Sequence, residues 1–124
     1  MRKQITAEKG AKPVGPYSHA IACEGTMLYV SGQGPTNPQT GKAPDTFREA
    51  AIQTLTNVKT IVEAAGATMA DVVKVNAYLR DMADFPVFNE VYRSFFSEPF
   101  PARTTVQSGL TIPIEVDAIV VLPE

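Results

Sequence analysis

Residues 112–122 alternate along their whole length, and both alternating sets contain apolar side chains. In an extended strand successive side chains point to opposite faces. Ile112, Ile114, Val116, Ala118, Val120 and Leu122 therefore share one face, and Pro113, Glu115, Asp117, Ile119 and Val121 share the other. The first set belongs against a core. The second carries Ile119 and Val121 among its charges, and a bare, partly apolar sheet face is a poor surface for a monomer. The strand thus demands cover on both sides.

The rest of the chain supplies only two helices. Over residues 46–65, Phe47, Ala51, Leu55, Val58, Val62 and Ala65 recur at steps of four and three, which places them on one helical face. Thr46 and Glu49 have capping-box spacing, and Gly66 stands where a left-handed C-terminal cap belongs. A second helix is predicted over residues 85–97, with Asp84 as N-cap, Pro86 in the first turn and Phe88, Val91, Tyr92 and Phe95 as its stripe. Further strands are predicted at residues 19–23, 27–31, 71–80 and 102–108. Glu24-Gly25-Thr26 reads as the loop of a hairpin joining the first two, and residues 33–44 as a long irregular loop. In the 71–80 strand, Val73, Val75, Ala77 and Leu79 share the apolar face. Two helices cover one face of such a sheet, so the fold class is α+β in a single domain over residues 1–124, with the other face closed by a homo-oligomer.

Composition narrows the function classes. The chain has 124 residues, 11 Lys+Arg against 13 Asp+Glu, and a net charge of −2. The basic residues form no stripe, so a nucleic-acid partner is not expected. One cysteine, Cys23, and one histidine, His19, are too few for a multi-thiolate or two-histidine metal site in one chain. His19 reads as a packed strand residue and Cys23 as a small core residue. Glu115 and Asp117 alone are a weak cation signal. Residues 31–35, Ser-Gly-Gln-Gly-Pro, lack the Gly-Lys-Ser/Thr of a phosphate loop. No signal-peptide core or membrane-length apolar run is present, so a soluble, cytoplasmic protein without membrane association is expected.

The charged residues of the last two strands are the candidate chemistry. If Ala102, Thr104 and Val106 face the helices, then Arg103, Thr105 and Gln107 face the oligomer side, together with Glu115. A charge taken from water needs a partner or a task. One reading is a structural ion pair of Arg103 with Glu115 or Asp117 at a subunit interface. The other is a site for a small anion, in which the guanidinium fork holds a carboxylate and Glu115 handles a proton beside it. Tyr17, taken alone, reads as a packed aromatic whose hydroxyl meets backbone.

Several short segments, in order along nearly the whole chain, resemble the Rid family of reactive intermediate deaminases, the RidA/YjgF-like proteins. They are Gly15-Pro16-Tyr17-Ser18-His19-Ala20, Tyr29-Val30-Ser31-Gly32-Gln33 with Asn37-Pro38-Gln39-Thr40-Gly41, Phe88-Asn89-Glu90-Val91-Tyr92 with Phe95-Phe96, and Pro101-Ala102-Arg103-Thr104-Thr105-Val106 with Ile114-Glu115-Val116. The resemblance implies a chorismate-mutase-like subunit, a mixed sheet with two helices on one face, and a homotrimer built through the other face with sites in the clefts between subunits. It implies hydrolysis of 2-iminobutanoate and 2-iminopropanoate to 2-keto acids and ammonia with no metal or other cofactor. Arg103 matches the arginine that holds the substrate carboxylate, and Glu115 the glutamate that positions the water. Tyr17, Ser31, Gly32, Asn89 and Thr105 match ligand-lining positions. The 107–113 connection is about three residues shorter than the family's pattern, which bears on the rim of the pocket. The competing classes are a non-catalytic metabolite-binding or holdase-like protein using the same cleft, and a ribonuclease.

Overall fold

The computed structural model describes residues 1–124. Strands β1 (Arg2–Ile5), β2 (Ala20–Cys23) and β3 (Met27–Gln33) are followed by helix α1 (Phe47–Ala64), strand β4 (Val72–Leu79), helix α2 (Phe85–Phe95), and strands β5 (Ala102–Gln107) and β6 (Ile114–Val121). The main sheet has the order β3-β6-β4-β5. β6 is antiparallel to both neighbours and β4 is parallel to β5. The last strand in sequence is therefore an inner strand in space, with apolar residues on both of its faces.

This order also explains why both helices lie on one side. β3 and β4 run parallel, as do β4 and β5, and both crossovers step in the same direction across the sheet. Crossovers of that kind share one handedness, so α1 and α2 land on the same face. Val30, Leu55, Val58, Val75, Leu79, Phe88, Ile114, Val116 and Val120 meet there in one core cluster. The face predicted for β6 is the face observed: Ile114, Val116, Ala118 and Val120 are buried in that core.

Helix α1 begins where Thr46 Oγ1 accepts from Glu49 N–H at 3.2 Å, one half of the expected capping box. It ends on Gly66 at φ +83°, with Gly66 N–H donating to Glu63 O and Ala67 N–H to Val62 O. That double bond pattern is a Schellman cap, and it needs a left-handed residue. Asp84 makes no side-chain cap to α2. Asp81 is the working cap instead, accepting from Ala83 N–H at 2.9 Å and starting a 3-10 turn, Met82–Asp84, that runs into the helix.

Three expectations about strands are corrected. The 19–23 and 27–31 segments form no hairpin. β2 pairs with β1, and β3 pairs with β6. Residues 24–26 thus link two sheets, and the polar amino terminus, which carries no hydrophobic pattern, forms β1 through backbone pairing. In β4 the ladder shifts between Val72 and Lys74, so Val72 rather than Val73 joins the core cluster. A bulge of one residue reverses the parity beyond it.

The third correction concerns β5. Arg103, Thr105 and Gln107 pair with Val75, Ala77 and Leu79, all core-facing, and so lie on the helix side of the sheet. Ala102, Thr104 and Val106 lie on the open side, where Lys74 Nζ reaches Thr104 Oγ1 at 2.9 Å. β5 is an edge strand, and its helix-side positions lie at the margin of the core, where polar side chains find partners. Gln107 Oε1, for example, accepts from Met82 N–H at 2.9 Å.

The open face is carried by Tyr29 on β3, Glu115, Asp117 and Ile119 on β6, Asn76 and Tyr78 on β4, and Val106 on β5. Tyr29 is 73% exposed and Val106 42%. Asp117 accepts from Asn76 Nδ2 at 2.9 Å and from Tyr78 OH at 3.1 Å. The hydrogen bond to Asp117 raises the pKa of Tyr78 above its ordinary value, with burial and the carboxylate's charge adding to it.

Two measurements test this account. Gly66→Ala meets no steric obstacle, because nothing lies within 4 Å of the added Cβ. Its cost is conformational, about 1–2 kcal/mol, and urea denaturation is expected to show that loss. Asp117→Ala removes both the acceptor and the charge, so one tyrosine ionisation is expected at lower pH by tyrosinate absorbance. The sign follows from linkage: the Tyr78–Asp117 bond is fully present below the ordinary tyrosine pKa and is lost as pH rises through the raised folded value. An unchanged titration contradicts the assignment.

Candidate functional site

Arg103 is half-buried on the helix side and has no carboxylate within ion-pair distance; the structure's two ion pairs are Met1–Glu124 and Arg48–Glu90. Its Nη1 donates to Asn89 Oδ1 at 2.8 Å. The guanidinium carbon lies 4.8 Å from the ring centre of Tyr92, 5.5 Å from those of Phe85 and Phe88, and 5.9 Å from that of Tyr17. Phe85, Phe88, Asn89 and Tyr92 follow helical spacing, so one face of α2 supplies three rings and the amide. Burial lowers the Arg103 pKa, and the nearby Tyr92 and Tyr17 hydroxyls pull it back. The group stays cationic at neutral pH.

The turn at residues 15–18 completes this bay. Ser18 is buried, its N–H donates to Pro101 O at 3.1 Å, and its hydroxyl donates to Phe100 O. Gln4 Nε2 donates to the same hydroxyl at 3.2 Å. Ser18 thereby bolts the turn to the residues just before Arg103, a positioning role that its hydroxyl chemistry does not announce but its place inside the Gly-Pro-Tyr-Ser segment marks. Gly15 faces Arg103 Nη2, which lies 3.6 Å from where a Cβ would sit. The Tyr17 hydroxyl accepts from Val14 N–H at 3.2 Å, so the packed-aromatic reading and the place beside Arg103 hold together. His19 is no packed strand residue. Its Nδ1 accepts from Ala7 N–H at 3.0 Å and its Nε2 donates to Ala11 O at 2.5 Å, tying down the segment before the turn. Thr105 points to the same side as Arg103, and its Oγ1 is buried without a hydrogen-bond partner.

Glu115 lies elsewhere. β3 has a ladder irregularity between Val30 and Gln33, so Ser31 and Gly32 bulge at the open face. A Cβ on Gly32 would stand 2.6 Å from Glu115 Oε2 and 2.9 Å from its Cδ. The carboxylate therefore rests directly over the glycine backbone, a contact any side chain there would obstruct. Ser31 and Gly32 are exposed, and Glu115 is half-buried with no ion pair.

Within one chain the predicted residues form two separate groups. Tyr17, Asn89, Arg103 and Thr105 gather on the helix side near the β5 edge. Ser31, Gly32 and Glu115 gather on the open side toward the β3 edge. β4 separates β5 from β6, and the sheet stands between the two groups. The ion pair of Arg103 with Glu115 or Asp117 is absent, because it required both on one face and Arg103 is on the other. A groove of about 410 Å³ between α1 and the loop after β3, lined by Gln33, Gly34, Thr36, Pro38, Asn57, Thr60 and Ile61, contains none of these residues. No three His, Cys, Asp or Glu side chains converge on a metal-sized point. No helix is long and apolar enough to cross a membrane.

Comparison with known proteins gives the lineage of the chain. Residues 8–122 match the family described as endoribonuclease L-PSP. The chain is 40% identical over 127 residues to the 2-iminobutanoate/2-iminopropanoate deaminase of Escherichia coli, covering 98% of each. It is 42% identical over 123 residues to a RutC family protein of Pyrococcus horikoshii, covering 96% of this chain and 97% of the relative. Among solved structures, E. coli TdcF with bound serine superposes with a TM-score of 0.75 at 37% identity, covering 98% of this chain and 99% of the other. The ordered motifs, the helix-backed sheet and full-length similarity agree, and the chain belongs to the Rid (RidA/YjgF-like) family.

Proposed function

We propose that this protein hydrolyses reactive 2-imino acids to 2-keto acids and ammonia, in a site shared between copies of the chain. The observation that carries the reading is the state of Arg103: a half-buried cation, oriented by Asn89 and a ring of aromatics, with no acidic partner. Such a group is prepared for a ligand's carboxylate, which the guanidinium fork binds through two parallel hydrogen bonds. Relatives at about 40% identity are named for deamination of 2-iminobutanoate and 2-iminopropanoate. E. coli TdcF, a different relative, was solved with bound serine, itself a small α-carboxylate.

The chemistry asks little of the protein. An imine carbon beside a carboxylate is electrophilic, most of all when its nitrogen is protonated. With the carboxylate held on Arg103, a water about 3 Å from that carbon adds its oxygen to it while Glu115 takes the proton. Return of that proton to the nitrogen of the resulting carbinolamine makes ammonia a leaving group; the C–N bond then breaks as Glu115 takes the hydroxyl proton, leaving the carbonyl of the 2-keto acid. Tyr17 and Thr105 line the bay, and the backbone of Ser31 and Gly32 forms the ledge beside Glu115.

One chain holds Arg103 and Glu115 on opposite sides of its sheet, so this reading needs a second copy. The bay of one subunit meets the Glu115–Gly32 ledge of the next. Such a contact is head-to-tail and closes as a ring. A homotrimer that buries the open faces, with Tyr29 and Val106 covered, is the assembly proposed.

Three tests follow. On imino acids generated in situ, Arg103→Ala and Glu115→Gln are each expected to lower kcat/KM by about 10²–10⁴. Unchanged turnover in both variants removes the site. Co-assembling the two inactive variants in equal amounts is expected to restore about a quarter of the activity, since random pairing puts both intact groups in that share of shared sites. No recovery overturns the sharing between copies. Sedimentation at micromolar concentration is expected to show a species three times the 13.4 kDa chain, and a 13.4 kDa species contradicts the assembly.

A further inference from the structure

Tyr92 is absorbed by no step of the proposed reaction, yet it is the ring nearest the Arg103 guanidinium, at 4.8 Å. It is fully buried. It stacks on Phe96 with ring centres 4.4 Å apart and planes at 27°, and it meets Phe88 at 5.6 Å and 52°. Phe88 lies one helical turn before Tyr92, and Phe96 is the extended residue that ends α2 and folds its ring back, so the three rings form a column that fixes the plane of the middle one. The hydroxyl at its far end is buried with no hydrogen-bond partner. A buried, unpaired hydroxyl costs stability, so the ring rather than the hydroxyl accounts for an aromatic here.

Resting on the functional reading above, we infer that Tyr92 is a positioning residue for Arg103: its ring is the platform that holds the guanidinium plane without neutralising it. A carboxylate in this place would fix Arg103 equally well and would occupy the fork that a ligand needs. A ring face attracts the cation through its quadrupole and leaves every N–H that Asn89 does not use free for an incoming carboxylate. Asn89, one helical turn before Tyr92, sets the remaining direction with an uncharged acceptor. The column thus reconciles two demands on one side chain, immobility and unspent charge. Its effect falls on binding of the substrate carboxylate, in ground state and transition state alike, so it appears in KM rather than kcat.

The test uses the full-length protein with 2-oxobutanoate as the binding probe and imine hydrolysis as the assay. Tyr92→Met keeps side-chain bulk and removes the flat face. It is expected to raise KM, and the 2-oxobutanoate Kd, about tenfold with little change in kcat. Tyr92→Phe keeps the ring and is expected to hold both constants within about threefold of the parent, with equal or higher thermal stability. Unchanged KM and Kd in folded Tyr92→Met, or a Tyr92→Phe variant as impaired as Tyr92→Met, overturns the inference. Should Tyr92→Met fail to fold, Tyr92→Leu takes its place in the same two measurements: a raised KM and Kd with kcat kept supports the platform, and unchanged constants overturn it. Absence of any Arg103-dependent 2-oxobutanoate binding by the parent overturns the functional reading itself, and this inference with it.

Discussion

Insertion of β6 between β3 and β4 is the constraint on which the rest of the architecture depends. An inner strand must satisfy hydrogen bonding on both edges and find cover for both faces. β6 meets the first demand with antiparallel partners on either side, and half of the second with the core under α1 and α2. β6 separates β3 from β4, so α1 must bridge the gap over it. The two crossovers then force both helices onto one layer. The exposed layer with Tyr29, Ile119 and Val106 is the geometric remainder of that arrangement.

The electrostatics follow the same division. Every acid on the open face sits across the sheet from Arg103, and the acidic residue nearest in helical sequence to its partner Asn89, Glu90, is turned outward to Arg48 at 2.5 Å. That exposed pair contributes little to stability. Its consequence is that the inward-turned side of α2 presents rings and one amide to the guanidinium. On the other face Asp117 is saturated by Asn76 and Tyr78. Glu115, two residues earlier on the same strand, is left unpaired above Gly32, where any side chain would collide with it. A half-buried cation on one face of the sheet and a half-buried carboxylate on the other are thus left without an ionic partner.

Much of this was legible in local patterns. The helical stripe from Phe47 to Val62, the Gly66 cap and the core face of β6 each depend on residues within a few turns of one another, and each appears where periodicity places it. The seven candidate residues were nominated by family motifs rather than by periodicity. What local patterns misread were cases where a distant partner decided the outcome. β1 has no hydrophobic signature because its stability comes from backbone pairing with β2. Val73 lost its place to Val72 because one bulged residue resets alternation. In β5, Ala102 and Val106 looked like core positions, but an edge strand inverts the usual logic: its outer-layer apolar residues are kept for the open face, and its inner positions serve Asn89, the rings and Met82.

The amino-acid sequence by itself determined that two helices back one sheet and that β6 has two faces needing cover, because these follow from period and short-range spacing. The tertiary structure alone decided on which side of the sheet each charged group stands. Arg103 and Glu115 face opposite layers since strand order and the parallel pairing of β4 with β5 set their directions, and those are long-range properties that no local period encodes.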